Sequence, residues 1–109
     1  MVIIADSGST KTQWCLLQGH EVINEMYTDG INPYYQTEAE IAEMVQSHVL
    51  LSFGKDVGAV YFYGAGCAFS DKKQTVANAV RASYPQAKIE TLPAFPPSQS
   101  SRALEFLAP

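Results

Sequence analysis

Residues 2–17 read Val2-Ile3-Ile4-Ala5-Asp6-Ser7-Gly8-Ser9-Thr10-Lys11-Thr12-Gln13-Trp14-Cys15-Leu16-Leu17, two apolar runs joined by a short polar turn. Val2 to Ala5 is continuously apolar and partly β-branched, the pattern of a strand buried on both faces. Thr12 to Leu17 is the return strand. Its period of two puts Trp14 and Leu16 on one face and Cys15 and Leu17 on the other. The chain therefore opens with an antiparallel pair whose turn is rich in hydroxyls and glycine.

Outward from this pair, Gly19-His20 is turn material and Glu21 to Thr28 makes a third strand. There Val22 and Met26 alternate with Ile23 and Tyr27 across the two faces. Asp29-Gly30-Ile31-Asn32-Pro33 breaks the meander. Thr37-Glu38-Ala39-Glu40 is a capping box, in which the Thr hydroxyl and the Glu40 carboxylate each satisfy an end amide. Ile41, Met44, Val45 and Val49 follow at helical spacing, and Gly54 supplies the stop. Val57 to Tyr63 is a β-prone strand ending in Gly64-Ala65-Gly66. Ser70-Asp71 opens a second helix with Val76, Val80 and Tyr84 on one stripe, closed by Pro85, and Lys88 to Leu92 is a last short strand.

The order βββαβαβ predicts an α/β fold: a five-stranded mixed sheet, parallel in part, with right-handed crossovers and flanking helices. Residues 1–92 form this domain. Residues 93–109 begin Pro93-Ala94-Phe95-Pro96-Pro97, are Pro/Ser-rich and continue neither period, although Arg102 to Leu107 suffices for one helical turn.

Composition bounds the function. At 109 residues the chain has room for one ordinary domain. With 17% charged and 11% aromatic residues it has ample material to bury and is not a disordered chain. The net charge of -4 leaves no basic field for nucleic acid. Residues 1–54 carry -6 and residues 55–109 carry +2, without blocks of like charge. No apolar stretch is long enough to span a membrane, and the N-terminus lacks the basic region of a signal peptide. Cys15 and Cys67 fit either a disulfide or, more simply, two buried thiols in a reducing cytoplasm. His20 falls in a turn and His48 on the apolar stripe of the first helix, with no metal-ligand spacing to either cysteine.

The turn Asp6-Ser7-Gly8-Ser9-Thr10-Lys11-Thr12 carries the chemistry. Backbone amides freed by Gly8, hydroxyls and the Lys11 ammonium together suit a phosphate. Asp6 is out of place against bare phosphate and makes sense beside a bridging magnesium ion. The turn joins antiparallel strands and is no Walker A loop, which needs Gly-x-x-x-x-Gly-Lys before a helix. A plain polar hairpin uses the same residue types.

The pattern Asp-x-Gly-x-Thr-x-Thr between the first two strands resembles the first phosphate loop of the actin, hexokinase and heat-shock-chaperone ATPase superfamily. More narrowly, Ile4 to Trp14, Gly30-Ile31-Asn32-Pro33 and Tyr61-Phe62-Tyr63-Gly64-Ala65-Gly66-Cys67 resemble the N-acetylglucosamine-kinase-like proteins of the BadF/BadG/BcrA/BcrD ATPase family. The resemblance implies a ribonuclease H-like sheet forming a single actin-like ATPase lobe over residues 1–92. It implies that Gly8, Ser9, Thr10, Lys11 and Thr12 contact the phosphates of ATP and that Asp6 orients magnesium through water. It places Asn32, Gly64, Ala65 and Gly66 at the sugar, although Asn32 also suits a turn before Pro33, and the glycines a tight strand-to-helix turn.

The resemblance further implies a second lobe with its own phosphate loop and adenosine site, and a catalytic Asp after the fifth strand. This chain has no Asp beyond Asp71. The expectation is an N-terminal kinase lobe, inactive alone, with residues 93–109 either out of frame or foreign to the domain. In the full-length relative it leaves room for a homodimer. Two other roles keep the fold: an ATPase that activates a dehydratase through an iron–sulfur cluster, and a truncated lobe without enzymatic activity.

Overall fold

The computed structural model describes residues 1–8, 10–64 and 69–93. The expected reading of 94–109, and the loop residues Ser9, Ala65, Gly66 and Cys67, lie outside them. Five strands, β1 (Val2–Ser7), β2 (Lys11–Gln18), β3 (Glu21–Asp29), β4 (Ala59–Gly64) and β5 (Lys88–Pro93), form one sheet in the order β3-β2-β1-β4-β5. The β1–β2 and β2–β3 pairs are antiparallel; β1–β4 and β4–β5 are parallel. This is the mixed sheet expected from the element order.

The two crossovers, β3 to β4 and β4 to β5, step in the same direction along the sheet. Right-handed connections of that kind place both helices on one face. The core has that form. Ile3, Ala5, Trp14, Leu16, Val60 and Phe62 pack beneath Ile41, Val45, Val49, Val76 and Val80. The other face carries its own small cluster of Ile4, Cys15 and Leu17 with Val2. Trp14 is fully buried; its ring lies 5.9 Å from that of Phe62 and its Nε1 donates to Thr28 Oγ1 at 2.9 Å.

The first helix runs over 38–53. The capping box forms: Glu40 N–H donates to Thr37 Oγ1 (3.1 Å) and Thr37 N–H to Glu40 Oε1 (2.8 Å). Those bonds hold the Glu40 carboxyl below its usual range. The middle, Val45–Leu50, is a π-helix. Ile41, Val45, Val49 and Phe53 all face the core. Residues four apart overshoot the 3.6-residue turn of an α-helix, and the wider π turn returns the column to the sheet. The same adjustment leaves His48 exposed, not on the apolar stripe that α-helical spacing gave it.

Two further expectations are corrected. Between Leu16 and Leu17 the β2–β3 register slips, with Leu16 opposite Asn24 and Leu17 opposite Val22. The bulge at Ile23 breaks strict alternation, so Val22 and Met26 lie on opposite faces. The second helix (Ser70–Arg81) ends before Pro85. Tyr84 still reaches the core from the following turn, 2% exposed, with its hydroxyl donating to Gly54 O at 3.0 Å and burial pushing its pKa up to about 12.

Gly54 ends the first helix at φ 80°, ψ 179°, a conformation essentially restricted to glycine, and nothing lies within 4 Å of where a Cβ would stand. Gly54→Ala therefore tests backbone strain without a clash. Urea denaturation should show a loss of about 1–3 kcal/mol.

Candidate functional site

The end of the sheet where β1 and β4 finish brings together the β1–β2 turn, the segment after β3 and the last residue of β4, Gly64. Register explains how. Ser7 pairs with Thr12 on one side and Gly64 on the other, Thr12 pairs with Thr28, and Gly64 pairs with Pro93. Sequence reasoning brought these motifs together only by resemblance; the ladder does so physically.

Alternation divides the turn's side chains between the faces. Ser7 and Thr12 follow Ile3, Ala5 and Trp14 onto the helix-covered face and are buried, 2% and 0% exposed. Their hydroxyls lie 2.8 Å apart. Ser7 Oγ accepts from Ile31 N–H (3.0 Å) and lies 3.2 Å from Ile31 O as donor. Thr12 Oγ1 donates to Asp29 O at 3.1 Å. The Thr12 hydroxyl is thus a strut holding the segment after β3, not a group on the open side of the turn. Ser7, absent from the expected ligand set, is its partner. The signal for Ser7 was available: period two places it in line with Ile3 and Ala5.

Asp6 and Lys11 occupy the opposite face. Asp6 is partly buried, and desolvation raises its carboxyl pKa. It has no ion-pair partner among the described residues. Lys11 is exposed, with Nζ 4.9 Å from the Tyr27 ring centroid. Between them, Gly8 N–H donates to Lys11 O at 2.9 Å, closing the turn, and Thr10 O accepts from Gly30 N–H at 3.1 Å. Gly8 is exposed, its φ is not positive, and among the described residues a Cβ there would meet Lys11 O at 3.5 Å, an ordinary contact. Neither a positive φ nor a close contact with the described residues calls for glycine at this position.

Asn32 organises the segment that follows. Its Oδ1 accepts from Tyr34 N–H (2.9 Å), its carbonyl from the amides of Tyr35 and Gln36, and its own N–H donates to Gln36 Oε1 at 2.6 Å. The turn role read beside the sugar role is therefore physically present, and it leaves the Nδ2 group unused by these bonds. Gln36 was not anticipated. Lys72 Nζ lies 4.8 Å from the Tyr34 ring centroid, linking this segment to the second helix. Gly64 has a packing reason of its own: a Cβ would come within 2.5 Å of Phe62 Cε1, on a buried ring.

The donor set fits magnesium held jointly with a phosphate ligand. No three His, Cys, Asp or Glu side chains gather to hold a metal among the described residues. Magnesium commonly takes one or two carboxylates and completes its shell with water and phosphate oxygens, and Asp6 is a partly buried carboxylate with no ion-pair partner among the described residues. Cys15 is different. It is free and 2% exposed, and burial first, then the charges of Glu25 and Asp6, push its thiol up to about 11. A buried thiol so reluctant to ionise is a poor cluster ligand.

Ser7→Ala removes the partner of a buried backbone N–H and C=O. It should cost about 1–3 kcal/mol in denaturant unfolding. Asp6 works in the opposite sense. Its folded pKa is raised, so ionisation costs stability as pH climbs through that range, and the cost is absent at low pH. Asp6→Asn should therefore raise Tm at pH 7. The gain should shrink as the pH falls toward the ordinary carboxylate value of about 4.

No protein-family model matches the chain, and no curated protein does. Fifteen chains of solved structures match it. Among them is the crystal structure of a "putative N-acetylglucosamine kinase" from Porphyromonas gingivalis, 38% identical, with a TM-score of 0.78 over 85% of this chain. The match spans 34% of that protein's length. No helix among the described residues is long and apolar enough to cross a membrane. The chain thus has the α/β fold of a single actin-like ATPase lobe, and it is similar over most of its length to one third of a kinase-like protein.

Proposed function

We propose that the chain is the phosphate-binding lobe of an ATP-dependent sugar kinase acting on N-acetylglucosamine or a similar amino sugar. Placement of the family among the BadF/BadG/BcrA/BcrD ATPases and action in the cytoplasm belong to the same proposal. The observation that carries it is the β1–β2 turn. Among the described residues nothing crowds Gly8, which leaves the backbone approachable, and a carboxylate and an ammonium without an ion-pair partner stand on the same sheet face. The 38% identity to the Porphyromonas gingivalis protein supports the sugar-kinase class.

In this reading the Gly8 and Thr10 region and the exposed Lys11 neutralise phosphate oxygens, and Asp6 holds the magnesium–water side of the same ligand. Ser9 belongs to this set by its position in the turn, outside the described residues. Thr12 contributes through the strut to Asp29, and Ser7 with it. Asn32 Nδ2 is the side-chain donor left to meet a sugar hydroxyl, and Gly64 ends β4 at the same edge. Ala65 and Gly66 belong to this set by their sequence position, outside the described residues. Magnesium-ATP supplies the transferable phosphoryl group when bound. Phosphoryl transfer depends mainly on positioning and charge neutralisation, and this lobe provides one wall of such a site. The remaining wall belongs to a second lobe, so the chain alone should bind nucleotide weakly and transfer no phosphate.

Isothermal titration with magnesium-ATP tests the reading. Wild-type protein should bind, Lys11→Ala should bind about tenfold more weakly, as expected for loss of a charge-assisted contact, and Asp6→Asn should lose the magnesium dependence. Equal affinity in all three proteins removes the phosphate-loop assignment.

A further inference from the structure

We infer that Tyr27 is a positioning residue for this site: its ring is the platform that keeps the Lys11 ammonium beside the turn with its charge uncompensated. The inference rests on the phosphate-loop reading and extends it to a residue on another strand.

The geometry begins in the β2–β3 ladder. Lys11 stands opposite Asp29, and Tyr27 stands opposite Gln13, two residues along. Lys11 and Tyr27 are therefore diagonal neighbours on one face, within reach of a long side chain. Two carboxylates compete for the ammonium. Asp29 is its direct cross-strand partner, and Asp6 shares its face. It pairs with neither. Among the described residues the ion pair within 4.0 Å is Lys88–Glu90, far down the sheet, while Lys11 Nζ sits 4.9 Å from the Tyr27 centroid.

The choice of partner has a chemical consequence. A carboxylate would cancel the ammonium charge, and an incoming phosphate would have to displace it. A ring face attracts the cation through its quadrupole and leaves the net charge in place. Tyr27 is itself 54% exposed, on a strand most of whose residues face solvent. It adds little to the core, so its ring is available as a surface for the lysine stem and head. Holding Lys11 there also removes part of the rotamer entropy that a free lysine loses when it engages a ligand.

Two measurements on the full 109-residue chain test this. The first is the NMR shift of the Lys11 ε-methylene, identified by its loss in Lys11→Ala. A ring-current upfield shift is expected in wild type and in Tyr27→Phe, and its absence in Tyr27→Leu. The second is magnesium-ATP affinity. Tyr27→Leu should bind about two- to fivefold more weakly, the span of an exposed cation–π contact, and Tyr27→Phe should match wild type. In a Lys11→Ala background, Tyr27→Leu should change nothing.

Three results overturn the inference while leaving the phosphate loop intact: no upfield shift in wild type, equal affinity in Tyr27→Leu, or the same loss with Lys11 already removed. The last would mark a merely structural role for Tyr27. A wild-type protein that shows the shift and binds no magnesium-ATP overturns the phosphate-loop reading together with the role given to Tyr27.

Discussion

The site end of this molecule depends on two buried hydroxyls. Ser7 and Thr12 close the last rung between β1 and β2 on the helix-covered face, where the rungs before them are apolar. A polar pair in that place is costly unless every hydrogen-bonding group is used. Here all are used. Ile31, 1% exposed, presents both its N–H and its C=O to Ser7 Oγ, and Asp29 O takes the Thr12 proton. The chain after β3 is thereby fastened to the turn as if it were one more strand. Remove the pair and Ile31 is a buried residue with an unsatisfied backbone. The Asn32 turn then loses the fixed point from which it is built.

From that fixed point the rest of the site follows by alternation. If Ser7 and Thr12 face inward, then Asp6 and Lys11 must face outward, on the side that neither helix covers. The direction of the two crossovers leaves that side without a helix among the described residues. The helix-covered face supplies the stability: Trp14 against Phe62, and the Ile41–Val45–Val49–Phe53 column brought back onto the sheet by its π turn. The other face keeps a smaller apolar cluster low on the sheet and places charge at its upper edge. The packed core and the charged pair Asp6 and Lys11 therefore occupy opposite sides of one layer, with the Asn32 turn anchored on the core side through Ile31, and they meet at the row Thr28–Thr12–Ser7–Gly64–Pro93.

Much of this was legible in the residues, and the failures have physical causes. The element order, the capping box at Thr37 and the split of Trp14 and Leu16 from Cys15 and Leu17 all follow from local period and local chemistry. The position of Val22 was misread because a bulge at Ile23 is set by pairing with β2 and leaves no mark in β3 itself. His48 was misplaced because a π turn is chosen by the packing of a four-residue column, not by propensity. The second helix ends at Arg81, and the Tyr84 ring reaches the core from the turn that follows, so its place on the apolar stripe does not require helix. At the site, a string of hydroxyls after Asp6 reads as one ligand-facing set. The ladder sorts them: Thr12 turns in, Lys11 turns out. Tyr27 carried no signal at all, since its role depends on a neighbour sixteen positions away in the chain.

The separation of charge at this edge is the feature that best distinguishes a binding site from a polar hairpin. Asp6 and Lys11 are of opposite sign and lie on one face, and a hairpin selected for stability alone would let them meet, or let Lys11 meet Asp29. Instead the partly buried carboxylate has no ion-pair partner among the described residues, with its pKa raised, and the ammonium rests on a ring. The partly buried anion costs stability in the free protein, whereas the exposed ammonium stays solvated and costs little. That cost is recovered by a ligand that is itself a cation joined to an anion. Magnesium bound to a phosphate is such a ligand, and it could satisfy both residues without requiring them to separate first. A self-neutralised turn would have to break its own ion pair to bind. The arrangement found here has no internal ion pair to break before a charged ligand enters, which is what the proposed phosphate role requires.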